Sequence, residues 1–168
     1  NLGAYYAAIR DYDKALEQYK LAFNAEKRDD KIYNLIGSVL LYRAEMKLGI
    51  SERFQKGIVL SEITLDKIDE EERLNIQNDI KQAYEWLNLA IKQVNPIINA
   101  YYNYSKACIY DSLFLGGGSQ KMSEADKYLN TVEIIWNMND SQKPKGYLYT
   151  RRNYWEANKE YDKALEIN

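Results

Sequence analysis

Side chains able to carry chemistry are few in this chain and unevenly spread. Asp69, Glu70, Glu71 and Glu72 run together, and such a cluster of carboxylates can do acid–base work or hold a divalent cation. The same run suits the first turn of a helix. There, unpaired N–H groups and the helix dipole stabilise each negative side chain by about 0.3–1 kcal/mol, which explains the run without a reaction. Cys108 is the one thiol, and the chain has no histidine to activate it. Lys106 is two residues away and on a helix points elsewhere, so Cys108 reads as a buried structural thiol. Residues 116–121, GGGSQK, follow a helical pattern rather than a strand and lack the spacing of a phosphate-binding loop. The remaining feature is 16 tyrosines, which bring large apolar area and a polar tip each. At helical spacing most of them must pack between helices.

The elements that position these groups sit in a chain of 168 residues, the size of one domain. Hydrophobic types make up 46% and charged types 29%, and 23 Lys+Arg stand against 25 Asp+Glu. That balance fits a soluble globular protein, and the net charge of -2 lacks the basic excess that phosphate backbones attract. No nucleic-acid partner is expected. Without histidine and with a single cysteine, the chain has no internal disulfide, classical zinc site or histidine-based triad. No cofactor, metal or catalytic activity is expected. No run reaches the roughly 18 apolar residues of a membrane span. The lone cysteine and absent leader fit a cytoplasmic protein; a bacterial envelope lipoprotein trimmed of its anchor would have the same sequence. The chain opens at Asn1 inside a helical pattern, as a fragment or processed form would.

Two prolines, Pro96 and Pro144, and eight glycines punctuate a helical pattern. Residues 11–25 place Tyr12, Ala15, Leu16, Tyr19, Ala22 and Phe23 on one helical stripe, with Asp11 as N-cap. The alternation of small and large apolar residues returns at Ala83, Leu87, Ala90 and Ile91, at Ala125, Leu129 and Val132, and at Ala157, Tyr161, Ala164 and Leu165. An internal repeat is present.

The segment NLGAYYAAIRDYDKALEQYKLAF resembles the tetratricopeptide repeat family, from its Leu-Gly-x-x-Tyr opening to its Ala-x-x-x-Tyr-x-x-Ala core. Leu2-Gly3 recurs as Ile36-Gly37 at the family's period of about 34 residues. The resemblance implies an all-α, right-handed solenoid of about four repeats, each an antiparallel pair of helices A and B. Small residues let the helices approach: Gly3, Gly37 and Ser105 in helix A, and Ala15, Ala83, Ala125 and Ala157 in helix B. The expected divisions are a truncated first repeat at 1–28, a second at 29–95, a third at 96–138 and a fourth at 139–168. Ala15 and Ala83 are two periods apart, so a helical insert near 51–68, carrying Phe54, Ile58, Leu65 and Ile68 on one face, or a degenerate repeat, precedes a long helix at 71–94. The β-branched residues of KGIVLSEITL also permit a strand there, though no partner strand is evident. A helix at 97–115, a turn at Gly116–Ser119, a helix capped by Ser123, a polar loop at 137–143, a short helix at about 143–151 and a last helix B from Arg152 complete the expectation.

In that family the A helices line a concave groove. Helical phase then implies inward-facing residues: Lys31, Asn34, Ser38, Leu41 and Tyr42 in the second repeat; Asn99, Tyr102, Lys106, Ile109 and Tyr110 in the third; Lys143, Tyr147 and Arg151 in the fourth. None is acidic, so the expected groove is basic, amide-bearing and aromatic, suited to an extended or helical protein segment with acidic character. The first helix A offers Ala4, Ala7 and Ala8, so the family's two-carboxylate clamp is not implied. The expected function is a non-catalytic protein or peptide interaction scaffold. A sensor domain for a signalling peptide or small molecule, and a subunit that self-associates around the insert, are the alternatives.

Overall fold

The computed structural model describes residues 1–25, 30–139 and 144–158. Among them are eight α-helices, two 3-10 turns and no strand. The helices are α1 (Leu2–Ala8), α2 (Tyr12–Asn24), α3 (Ile32–Leu48), α4 (Ile50–Lys56), α5 (Glu70–Ile91), α6 (Ile98–Phe114), α7 (Gly118–Asn139) and α8 (Tyr147–Ala157).

Local chemistry sets the boundaries. The Asp11 carboxylate accepts from the Lys14 N–H at 3.2 Å and starts α2. Asp69 caps α5 by accepting from the Glu72 N–H at 3.4 Å, with Glu70, Glu71 and Glu72 in the first turn. The acidic run is therefore a helix start. Gly49 ends α3 in the left-handed conformation at φ 66°.

Helices pack in chain order: α1 on α2, α2 on α3, α3 on α5, α5 on α6, α6 on α7 and α7 on α8, while α3 touches α6 and α6 touches α8. Small residues sit where helices approach. A Cβ on Gly3 would lie 2.6 Å from the Tyr19 ring, and one on Gly37 would lie 2.5 Å from the Leu87 side chain. Ala15, Ala83 and Ala125 are wholly buried, as is Ser105, whose hydroxyl donates to the Tyr101 carbonyl at 2.8 Å. Every residue of α6 from Tyr102 to Tyr110 is buried. A helix buried on nearly every side needs neighbours all round it, and α6 has α3, α5, α7 and α8.

Several expected elements differ. Residues 51–68 do not form one helix. Gly57, at φ 69°, ends α4; Val59, Ile63, Thr64 and Ile68 are extended, with 3-10 turns at Leu60–Glu62 and Leu65–Lys67 between them. β-Branched residues favour extended backbone, and no strand partner is present among the described residues. The helix expected to be capped by Ser123 begins at Gly118, because no breaker follows Gly118 and Met122 is buried. The helix expected at 143–151 begins only at Tyr147, after Gly146 at φ 84°, and continues to Ala157. Arg152–Ala157, expected in a following helix B, thus belongs to α8. The rest of that expected helix, from 159 on, lies outside the described residues, as does Lys143.

Candidate functional site

Lys106 lies in the middle of α6 and is 7% exposed. A buried ammonium survives only if its charge is answered, and here the Glu45 carboxylate of α3 does so, its Oε1 accepting from Nζ at 3.0 Å. The faces of Tyr42 and Tyr102 lie 5.5 and 5.4 Å from Nζ and add cation–π attraction. Burial pulls the ammonium's proton affinity down, but Glu45 together with the neighbouring tyrosines outweighs it and raises the value above the ordinary lysine range. The second Glu45 oxygen accepts from the Tyr110 hydroxyl at 2.9 Å. Burial, reinforced by that carboxylate, holds the Tyr110 phenol well above its ordinary value. The Tyr102 hydroxyl shares a 2.9 Å hydrogen bond with Thr150 of α8 and is also raised, mainly by burial.

These groups form the floor of a half-open cavity of about 430 Å³. Its walls come from the turn after α1 (Arg10) and the start of α2 (Tyr12), from α3 (Tyr42, Glu45, Met46), from α6, and from α8 (Tyr149, Thr150, Asn153). Lys145 and Gly146 close another side. Arg10 adopts φ 61°, the one non-glycine residue of positive φ among the described residues, and it ends α1 as a left-handed cap, with the Asp11 N–H donating to the Tyr6 carbonyl at 2.9 Å. The final wall is the segment from Gly49 to Leu60, which runs from the end of α3 across to α8. The Leu60 N–H donates to Asn153 Oδ1 at 2.8 Å, the Tyr149 hydroxyl donates to the Ile58 carbonyl at 2.7 Å, and the Phe54 and Tyr149 rings meet edge to face at 5.0 Å.

The structure brings Tyr42, Tyr102, Lys106, Ile109 and Tyr110 together on this cavity. The other residues expected in one groove are elsewhere. Lys31 and Asn34 line a separate cavity of about 180 Å³, and Asn34 accepts from Asn103 Nδ2 at 3.1 Å. Ser38 is buried, its hydroxyl donating to the Leu35 carbonyl at 2.9 Å; Leu41 is core; Asn99 is exposed and lines neither cavity. Tyr147 and Arg151 face α7. The Tyr147 hydroxyl donates to Glu133 at 2.6 Å, and the Arg151 guanidinium donates to Asp126 at 2.7 Å and to Asn130. Their helix starts later than expected, at Tyr147, and Tyr149, Thr150 and Asn153 occupy the cavity side.

The expectation of a groove without acid is also corrected, since Glu45 and Glu52 line the cavity. Glu45 follows Tyr42 by three residues, so continuing the helical phase one turn further would have found it. Nothing in the repeat pattern points to Arg10 or to the 49–60 wall.

Cys108 is fully buried, its Sγ 3.8 Å from Glu124 Oε2. Burial, then the Glu124 charge, pushes the thiol up to about 12, the opposite of what a nucleophile needs. Among the described residues no group of three or more His, Cys, Asp or Glu is placed to hold a metal ion, and no helix is long and apolar enough to cross a membrane. Comparison with family models, with curated proteins and with solved structures finds no match to this chain.

Proposed function

We propose that the helix pairs α1/α2, α3/α5 and α6/α7 are tetratricopeptide-like repeats stacked in a right-handed solenoid, with α8 opening a fourth. On this reading the chain is a non-catalytic interaction module for a protein or peptide segment. The packing of helices in chain order and the small residues at their contacts support the repeat reading. The observation that carries the function is the cavity where α3, α6 and α8 meet. It combines tyrosine faces and aliphatic surface with a few oriented polar groups, and its volume falls within the range of ligand sites, about 300–1,000 Å³. Tyrosines give rigid contact area at small entropic cost, and the polar groups orient the docked segment. A segment with acidic character suits Arg10, Lys106 and Lys145.

The test is affinity capture with the wild-type chain beside Tyr42→Ala/Met46→Glu. Both positions line the cavity, and both are more than a third exposed, so the fold tolerates the change. A protein held by the wild type and lost by the folded variant, then rebuilt as a purified pair with the same difference, supports the reading. Equal capture by both chains removes the cavity from it.

A further inference from the structure

The Gly49–Leu60 wall and the charge pattern on the cavity say more about what enters it. We infer that the cavity takes a small organic carboxylate with an aromatic or branched aliphatic body. This rests on the reading that the cavity is the binding site and departs from it in the occupant, a ligand small enough to lie within the 49–60 wall rather than a segment running along the helices.

The first step concerns shape. Unlike an open groove, the cavity has a wall that crosses from α3 to α8 and is tied to α8 through Asn153 and Tyr149. A chain running lengthwise along the helices would meet this wall, whereas a compact ligand would not. The second step concerns charge. The ionised groups lining the cavity are Arg10, Lys106 and Lys145 against Glu45 and Glu52. Glu45 is already answered by Lys106 on one oxygen and Tyr110 on the other. Lys106 has three donors, of which one is directed to Glu45. Arg10 and Lys145 make no ion pair among the described residues, and neither does Glu52, so with Lys106 and Glu45 paired to each other the lining keeps two uncommitted cations against one carboxylate. The surplus hydrogen-bonding capacity is therefore cationic and donor-rich, which selects an anion.

The third step concerns the body of the ligand. Tyr42, Met46, Ile50, Phe54 and Ile109 present rings and aliphatic surface beside those donors. Phe54 is 51% exposed and Met46 is 54% exposed, so an apolar body would cover surface that is now wet. A neutral apolar ligand would leave the cations unused, and an amine would find only Glu52 uncommitted among the carboxylates while facing Lys106, Arg10 and Lys145.

The experiment is an amide NMR titration of the full chain with 4-phenylbutyrate, its carboxamide and the matching primary amine. Two peptides are added: one with phenylalanine at a free C-terminus, and one blocked at both ends with phenylalanine and aspartate in its middle. The expected result is that 4-phenylbutyrate shifts the amides of Gly49, Lys106 and Gly146, that the carboxamide binds at least about tenfold more weakly, and that the amine does not bind. The blocked peptide should bind more weakly than the free acid. Arg10→Glu and Lys145→Glu, both at exposed positions, should each weaken the acid by about tenfold, mostly where salt is low. Lys106→Met should weaken it further, and the exposed variants keep the test decisive if Lys106→Met does not fold.

Equal or tighter binding of the carboxamide, shifts confined to other surfaces, or unchanged affinity in both charge reversals would overturn the inference. Tighter binding of the blocked peptide would show that the occupant is a polypeptide segment and would likewise overturn it. Because affinity capture tests the partner reading separately, a partner lost in Tyr42→Ala/Met46→Glu alongside unbound carboxylates would sink this inference alone. Bound carboxylates with no captured partner would sink only the partner reading.

Discussion

Arg43 and Lys106 are cations drawn out of water at two faces of the same bundle, and they are satisfied in opposite ways. Arg43 reaches from α3 to α5, where its Nε and Nη2 donate to the two Asp79 oxygens at 2.9 and 2.6 Å, while Nη1 donates to Asp13 of α2 at 2.9 Å. All three guanidinium nitrogens are engaged, and three helices are tied by one side chain. Lys106 instead meets a single oxygen of Glu45, lies over the Tyr42 and Tyr102 rings and lines a cavity. Asp79 is 3% exposed at its side chain, against 16% for Glu45. The contrast separates a contact used up in tying helices from one that also borders a cavity, although both ion pairs join α3 to another helix.

The largest effect should come from breaking the Arg43 tie. Arg43→Met leaves the Asp79 carboxylate buried without its bidentate partner, and the nearest other cation, Lys47, is 3.9 Å away. Loss of about 3–5 kcal/mol in urea unfolding is expected. Lys106→Met should cost less, because Glu45 keeps the Tyr110 hydroxyl and opens onto the cavity. Equal losses would erase the distinction between the two pairs.

Next in size is overpacking on the α3/α5 side. Ala83 is wholly buried, and Leu there should destabilise by about 1–3 kcal/mol. Gly37→Ala should act the same way, since its Cβ would meet Leu87 at 2.5 Å, and Leu87→Ala should relieve part of that strain in the double variant. Additive losses in the double variant would mean that the helices adjust elsewhere.

How much of this was legible in the sequence follows the same division. The α3/α5 and α6/α7 pairs are legible because small residues mark close helix contacts, as at Gly37 against Leu87 and at the wholly buried Ala83 and Ala125, and because Asp11 and Asp69 cap helices by local rules. The cavity is half legible. Tyr42, Tyr102, Lys106 and Tyr110 follow from helical phase on α3 and α6, whose starts are well marked. Tyr147 and Arg151 do not, because Gly146 delays α8 and turns the expected inner face toward α7. The 49–60 wall is not legible at all, since its position depends on long-range hydrogen bonds to Asn153 and Tyr149 rather than on any local pattern.

A smaller effect appears in alkaline solution, at the α6/α7 contact. Burial raises the Cys108 thiol from 9.0 to about 12. The folded chain then holds a proton that the unfolded chain releases, so this stability is complete below pH 9 and falls as pH rises toward 12, by up to about 1.4 kcal/mol per unit. The tyrosines Tyr102 and Tyr110, also raised, act in the same direction at higher pH. Stability from urea melts at pH 8, 9 and 10 should therefore decline, and Cys108→Ala should flatten the portion between 9 and 10. An unchanged slope in Cys108→Ala would assign the decline to the tyrosines.

The smallest effect on stability should accompany the largest effect on binding, and this sharpens the comparison most. Tyr42 and Met46 stand on α3, as Arg43 does, but on the cavity side, where they are 39% and 54% exposed. Tyr42 meets Tyr12 at 5.9 Å between ring centroids and lies over Lys106, so its loss removes edge contacts without opening the core. Tyr42→Ala/Met46→Glu should stay within about 1 kcal/mol of the wild type and keep its helical circular dichroism. By contrast Tyr102→Ala/Lys106→Glu should unfold readily, because Tyr102 is 6% exposed and a second carboxylate would face Glu45. The two double variants change the same cavity from its rim and from its floor. If the rim variant proved as unstable as the floor variant, the cavity would be part of the core's support rather than a surface kept open for a ligand.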